Sequence, residues 1–326
     1  MTVANRKSLR ASVSSEIVYF ISSYVGRQML ERLIRRISVE TGSTIVVRHD
    51  FSASSLAGSW IFEEPNVIVL RDDVTVEWGG AGEAELILQS LHWIETHLEY
   101  TWVVYLSEQD YPIRSLRKIE RDLLASSADC YLDGGPVSWG EPFPAAAEGF
   151  LRYHYRYTLD DVVEPGEAAS RSRSSDWPEL NSGRLTLPPK IHRQSQGRLY
   201  VGELRGWPFT AVLAAGVCWS DLNRHAVRSV LDFYQEHPEI KEHLYEGLAP
   251  CEAILQTALY TGGDVEIAPH NQRLVKWGRP GDSRPGLWGI DEFDMLIRSG
   301  RHFARKFGSD ADARDLIDAL DARVLK

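Results

Sequence analysis

Two carboxylates, Glu108 and Asp110, stand two residues apart where the apolar run Trp102-Val-Val-Tyr-Leu106 gives way to Ser107 and a Tyr111-Pro112 turn. A run of that length reads as a buried strand. Both acids then fall just past its carboxyl end, where open α/β sheets bind ligands. Acidic side chains so placed can accept hydrogen bonds from a ligand or hold a hard cation through oxygen. The same pattern also fits a polar strand cap with a turn behind it. A third carboxylate, Glu252, follows Pro250-Cys251 at the head of a helical pattern whose apolar face is Ile254, Leu255, Ala258 and Leu259. Proline suits the first turn of a helix. A glutamate there either compensates the helix dipole or, facing a cleft, takes a proton from a hydroxyl nucleophile.

Cations come from the last third of the chain. Phe303-Ala-Arg-Lys306-Phe307 sets two between aromatics, and Asp282-Ser-Arg284-Pro-Gly286 offers another in a turn-rich loop. Arginine by its planar fork and lysine as a point charge suit a diphosphate, although a solvated basic patch reads the same way. Trp78, in the glycine turn Val76-Glu-Trp-Gly-Gly80, and Trp277, ending Arg273-Leu-Val-Lys-Trp277, are core residues or platforms for the apolar face of a sugar ring. His49-Asp50, after the run Thr44–Val47, is a weaker ligand pair. Asp310-Ala-Asp312 follows no strand and reads as a helix cap. Signatures of a P-loop, a nucleophile elbow, a zinc protease or a dinucleotide fingerprint are absent.

The elements that position these residues alternate. Strands are expected at 17–21, 44–47, 67–70, 102–106 and 130–132. Helices fall between them, one carrying Val25, Met29, Leu30, Leu33, Ile34 and Ile37, the next Ala84, Ile87, Leu91 and Ile94, and a third around 113–124. That alternation implies an α/β fold with a mostly parallel sheet between helices. From 140 to 208 Pro, Ser, Arg and Gly dominate, and Arg171–Ser175 reads as a solvated loop over an active site. Regular structure returns with Leu213–Trp219, then a helix from about Asp221 to Glu236. With 326 residues and no evident linker, one domain is expected: a binding half at 17–135, the irregular region at 140–208, a catalytic half at 209–310 and a terminal helix at 311–326.

Composition narrows the class. A net charge of −10 argues against a nucleic-acid binder. Cys130, Cys218 and Cys251 are odd in number, far apart in sequence, and match no zinc spacing or disulfide framework, which suits a reducing compartment. The polar segment 1–16 lacks the apolar core of a signal peptide and no apolar stretch is long enough to span a bilayer, so a cytoplasmic location is expected.

Taken in order, Val18–Ser22, Arg48–Asp50, Val76–Gly80, Leu106–Ile113, Pro250–Glu252, Arg273–Trp277 and Phe303–Phe307 resemble the core-2/I-branching N-acetylglucosaminyltransferases and the related peptide O-xylosyltransferases. The resemblance covers roughly residues 17–310 and is poorest in the middle. It implies a GT-A-type nucleotide-sugar fold and inverting transfer from a UDP-sugar, with metal independence favoured. Glu252 falls on the family's catalytic base, Lys306 on its diphosphate-binding lysine, Trp277 on an acceptor-side tryptophan and Asp110 on a donor-side aspartate. Arg284 is the counterpart of its diphosphate-binding arginine, with Arg279 competing. Two departures stand out. Cys251 replaces an aspartate in the base motif, and Glu108 replaces a glycine, restoring an acidic pair that could hold Mg²⁺ or Mn²⁺. A UDP-sugar donor and a carbohydrate, lipid-linked sugar or small-molecule acceptor are the implied partners. The rival expectation is a non-catalytic carbohydrate- or nucleotide-binding protein retaining the fold.

Overall fold

The computed structural model describes residues 2–3, 15–24, 26–71, 74–137, 144–162, 179–181, 184–195, 198–277 and 285–324. Strand β1 (Ile17–Ser23) leads to α1 (Arg27–Glu40), then β2 (Thr44–His49) and β3 (Val67–Arg71). Helix α2 (Gly82–His97) precedes β4 (Trp102–Ser107), β5 (Tyr111–Pro112), α3 (Leu116–Leu124) and β6 (Cys130–Tyr131). The middle holds α4 (Pro144–Tyr153) and strands β7 (Tyr155–Val162), β8 (Lys190–Ser195) and β9 (Arg198–Leu204). Then come β10 (Asp221–Asn223), α5 (Arg224–Glu236), α6 (Pro238–Tyr245), α7 (Ile254–Gly262), β11 (Ile267–Ala268) and β12 (Arg273–Val275). Helix α8 (Phe293–Arg298), β13 (Phe303–Arg305) and α9 (Ala311–Val324) close the described chain.

The central sheet runs Thr2–Val3, β3, β2, β1, β4, β10, β6, β11. β3, β2, β1 and β4 are mutually parallel, as are β6 and β11. Alternate strand residues serve opposite faces, as the pleat requires. Val18, Phe20, Val46, Val103 and Tyr105 pack in one core with residues of α2, α5 and α7. Tyr19, Ile21, Ile45, Val47, Val104 and Leu106 pack in a second with residues of α1, α3 and α9. This is the expected α/β architecture with a mostly parallel sheet between helices, consistent with a GT-A-like fold. The chain steps outward from β1 to β3, then crosses to β4 on the other side of β1. Strand order therefore reverses between β1 and β4, and the crevice beyond their carboxyl ends is where such sheets receive ligands.

Several expectations are corrected. Asp221–Asn223 does not begin the following helix but forms a strand antiparallel to both β4 and β6. Asn223 instead caps α5, its side chain accepting from the Ala226 N–H at 2.9 Å. Of the regular stretch expected at 213–219, Ala214–Ala215 pairs as a short strand with Gly135–Pro136. Tyr111–Pro112 is not a bare turn: it pairs with β13, which also pairs with β12, making a small second sheet. The stretch expected to be irregular contains α4 and an antiparallel sheet of β8, β9 and β7; Arg171–Ser175 lies outside the described residues, as does Val25.

The two sheets are joined by one buried ion pair. Arg273 of β12 and Asp221 of β10 have no exposed side-chain surface and meet at 2.7 Å. The same guanidinium donates to the Tyr105 carbonyl at 2.9 Å and the Ser220 carbonyl at 3.3 Å. Burial pushes the Asp221 carboxyl up while Arg273 pulls it down. Arg273→Leu leaves that carboxylate uncompensated and is expected to cost about 3–5 kcal/mol, read as a lowered denaturation midpoint. His302, 3% exposed, supplies a pH test. Burial and then Arg273 lower it to about 4, with Arg114 and Lys118 adding and Asp122 opposing. Below pH 6.5 the unfolded chain takes the proton first, so stability falls from there toward pH 4 by up to about 1.4 kcal/mol per pH unit for this group. His302→Gln should flatten that slope in denaturation series across pH, leaving the part due to His154 and His243, which burial also lowers to about 4.

Candidate active site

The crevice floor is set by the ends of β1 and β4, where Ser22 pairs with Ser107 in register. Glu108 is fully buried, and one of its oxygens accepts from the Tyr24 N–H at 2.9 Å. Asp110 is also fully buried; its Oδ2 closes the turn by accepting from the Ser107 N–H at 2.7 Å and the Ser107 hydroxyl at 2.6 Å. That same oxygen faces the Arg305 guanidinium at 3.9 Å. Pairing of β5 with β13 creates this approach, because Tyr111 lies opposite Ala304.

Arg305 is the cation that motif reading passed over in favour of its neighbour Lys306. It is 5% exposed, its Nε and Nη1 have no hydrogen-bond partner among the described residues, and its guanidinium lies 3.9 Å above the Trp219 ring. Trp219 in turn packs against Tyr105, whose ring stacks on Phe20. A buried guanidinium with unused donors beside a ligand crevice is suited to an anion. Nothing local in Phe303-Ala-Arg marks this cation as buried; the β12–β13–β5 pairing does. Lys306 follows it half-buried, its carbonyl accepting from the Trp288 N–H at 3.0 Å. Arg284 and Arg279 lie outside the described residues.

Glu252 arrives from another direction. Pro250–Glu252 is a 3₁₀ turn ahead of α7, not the first turn of the helix itself. Ala249, just before it, has φ 54°, a left-handed conformation costly for a residue with a Cβ. Three bonds hold it there: its N–H donates to the Gly79 carbonyl at 2.7 Å, and its carbonyl accepts from the Tyr153 hydroxyl and from the Glu252 N–H, each at 3.0 Å. The Trp78 turn is thereby fixed beside the Glu252 turn, with Trp78 42% exposed. Glu252 pairs with Arg152 of α4, which also meets Glu148 at 3.4 Å, and Glu148 meets Arg193 of β8 at 2.7 Å. Burial alone would lower Arg152, but Glu252 leads the contacts that raise it.

Near both Glu252 and Arg305 lies a group the sequence did not reveal. Glu83, in the first turn of α2, Cys218 and Cys251 bring their ligand atoms within 4.8 Å of one another. Burial pushes the Glu83 carboxyl up; Cys251 and Arg305 pull it down and Glu252 pushes it further up. Glu252 and Arg305 thus both lie close enough to act on one carboxyl, with opposite sign. The two cysteines, separated in sequence, therefore meet in the fold.

Other anticipated residues sit apart from this cluster or shape its rim. His49 bonds through both ring nitrogens, to the Ser23 hydroxyl at 2.7 Å and the Ser54 carbonyl at 2.8 Å, and burial lowers its basicity. Asp50 closes the following loop by accepting from the Ser52 and Ala53 N–H groups. Trp277, 58% exposed, is available as a platform, while the adjacent Lys276 is tied to Glu292 at 2.7 Å. Asp310 accepts from the Ala313 N–H at 2.9 Å, the capping role expected of it. Asp110 Oδ2 is committed to Ser107 and faces a cation, while its Oδ1 is buried with no hydrogen-bond partner among the described residues. Among the described residues the one cluster of three metal-ligating side chains is Glu83, Cys218 and Cys251.

No family model matches the chain. It is 21% identical over 206 residues to the β-glucuronosyltransferase GlcAT14B of Arabidopsis thaliana, covering 60% of this chain and 46% of that protein. The chain has a glycosyltransferase relative. It spans less than half the length of that relative, and the similarity supports a glycosyltransferase relationship without reaching a narrower family. Among solved structures, HddC from Yersinia pseudotuberculosis matches 67% of this chain and 80% of its own at 12% identity and a TM-score of 0.28, too slight a likeness to build on. No described helix is long and apolar enough to cross a membrane.

The unused donors of Arg305 lead to a direct test with inorganic pyrophosphate. Calorimetry should show binding to the wild-type chain and a loss of at least about 1.4 kcal/mol, tenfold in affinity, for Arg305→Gln.

Proposed function

We propose that this chain is an inverting glycosyltransferase that moves a sugar from a UDP-sugar to an acceptor hydroxyl. The observation that carries this reading is that Glu252 and Arg305 both lie near Glu83, whose carboxylate accepts from the Tyr105 hydroxyl of β4 beside the switch point of the sheet. The glycosyltransferase relative supports it, as do the ordered motifs shared with the core-2/I-branching and O-xylosyltransferase enzymes. In the proposed step Glu252 takes the proton of the acceptor hydroxyl as its oxygen bonds to the anomeric carbon. The bond from that carbon to the diphosphate breaks on the opposite face, leaving UDP. Arg305 and Lys306, together with Arg284, offset the charge growing on the leaving oxygen. The donor lies over Glu108 and Asp110, with His49 and Asp50 shaping the neighbouring rim. Trp78, held beside the Glu252 turn, and Trp277 offer the acceptor a flat apolar face.

This step asks for no metal, because fixed cations can do the work of charge neutralisation. The acceptor class is a carbohydrate, a lipid-linked sugar or a small hydroxylated molecule. For the donor, N-acetylglucosamine and xylose follow from the shared motifs, and the plant relative's name adds glucuronate.

A second reading has one observation in its favour. Glu252 already pairs with Arg152, and a carboxylate so engaged could anchor a bound sugar in a protein that does no chemistry. Two measurements separate the readings. Glu252→Gln is expected to lower UDP release by about 10²–10⁴-fold while UDP still raises the melting temperature; undiminished turnover removes Glu252 from the mechanism. A thermal-shift panel of UDP-GlcNAc, UDP-xylose and UDP-glucuronate, with and without Mn²⁺, is expected to single out one donor with no added effect of metal. Stabilisation by a nucleotide sugar with no turnover on any acceptor would favour the binding protein.

A further inference from the structure

We propose that Glu83, Cys218 and Cys251 form a binding site for a thiophilic divalent cation of the zinc class, set in the crevice beside Glu252. The glycosyl-transfer step routes no proton through these three side chains, although Glu252 and Arg305 border them, and occupancy of the site is measurable without any sugar.

Geometry comes first. The carboxylate oxygen and the two sulfurs lie within 4.8 Å of one another, and the Cys218 sulfur is 4.0 Å from Glu83 Oε1. A tetrahedral zinc with sulfurs at about 2.3 Å and oxygen at about 2.0 Å spreads such ligands over comparable separations. Small rotamer adjustments would suffice. Two thiolates and one carboxylate leave a fourth position for water, the arrangement of an open site rather than a closed structural one.

The surroundings lack what an inert cluster would need. Glu83 is half-buried, and a carboxylate whose charge the protein compensates takes short, charge-assisted bonds. Glu83 has the Tyr105 hydroxyl at 3.4 Å and the Cys218 thiol at 4.0 Å, with the Cys251 thiol as its third neighbour. Such long contacts leave its charge poorly compensated. A divalent cation with one carboxylate and two thiolates carries a net charge of −1, and the Arg305 guanidinium acts on both Glu83 and Cys218 to offset it.

Proton balance is simple. Contact with Cys251 pulls the Cys218 thiol down, but burial and Glu83 push it further up; contact with Cys218 and burial raise Cys251. Both therefore enter as thiols. On binding, two S–H bonds break, two metal–sulfur bonds form, and two protons pass to solvent, with no change of oxidation state. The bound ion would tie the first turn of α2 to the Glu252 turn and to the segment leading into β10.

The test is a Co²⁺ titration of the reduced, metal-free full-length chain. A single equivalent should produce thiolate-to-cobalt charge-transfer absorption in the near ultraviolet, and added Zn²⁺ should bleach it. Cys218→Ser and Cys251→Ser should each abolish the band and Glu83→Gln weaken binding by at least about tenfold, whereas Cys130→Ser should keep it. Absence of the band from the wild-type chain, whether its thiols are free or joined to each other, overturns the assignment. So does a band that survives both serine variants. The wild-type titration decides the matter even if a serine variant does not fold.

Discussion

Arg273 reaches from β12 into the central sheet and meets Asp221 where no water can screen either charge. Each charge would be costly alone in that environment, so the pair constrains where the small sheet can sit. β12 fixes β13 by parallel pairing, with Val275 opposite Arg305. β13 in turn fixes β5, and through it the turn carrying Asp110. The position of the anion-seeking guanidinium therefore depends on an ion pair that touches no ligand. Because Arg273 also bonds the Tyr105 carbonyl, the crevice floor and its cationic wall share one anchor.

The Glu252 side of the site is built on different physics. Its carboxylate sits on a short 3₁₀ turn held by backbone bonds from the Trp78 turn and by the hydroxyl of Tyr153. Behind it a line of alternating charges, Arg152, Glu148 and Arg193, runs through α4 to β8. One side is thus pinned by a dry pair and the other by a partly exposed network. The second is the softer, since exposed pairs contribute little and yield to salt.

The sequence announced the parts of the fold that repeat. The apolar faces of α1 and α2 and strands β1, β2, β3 and β4 follow from periodicity, because a half-buried helix and a doubly covered strand have distinct patterns. Glu108 and Asp110 were placed at a strand end for the same reason. What was illegible depends on long-range pairing. Asp221–Asn223 is too short to show a period, and its charge would argue against a central strand had Arg273 not been there to receive it. Arg305 was read as half of a basic pair because nothing local distinguishes a buried cation from a solvated one. Cys218 and Cys251 are far apart in sequence, and the packing of the 3₁₀ turn ahead of α7 against the segment before β10 brings them together.

Ala249 has a consequence of its own. A left-handed backbone at a residue with a side chain is tolerated by glycine, asparagine and aspartate, but hardly at all by a branched one. Position 249 is also 6% exposed, so even a polar substitute would have to lose its hydration. The residue ahead of the proposed base is therefore open to almost no mutational drift. A randomised library there would shrink to alanine and glycine, and the reaction partner would change only by remodelling the loops around an unchanging pivot.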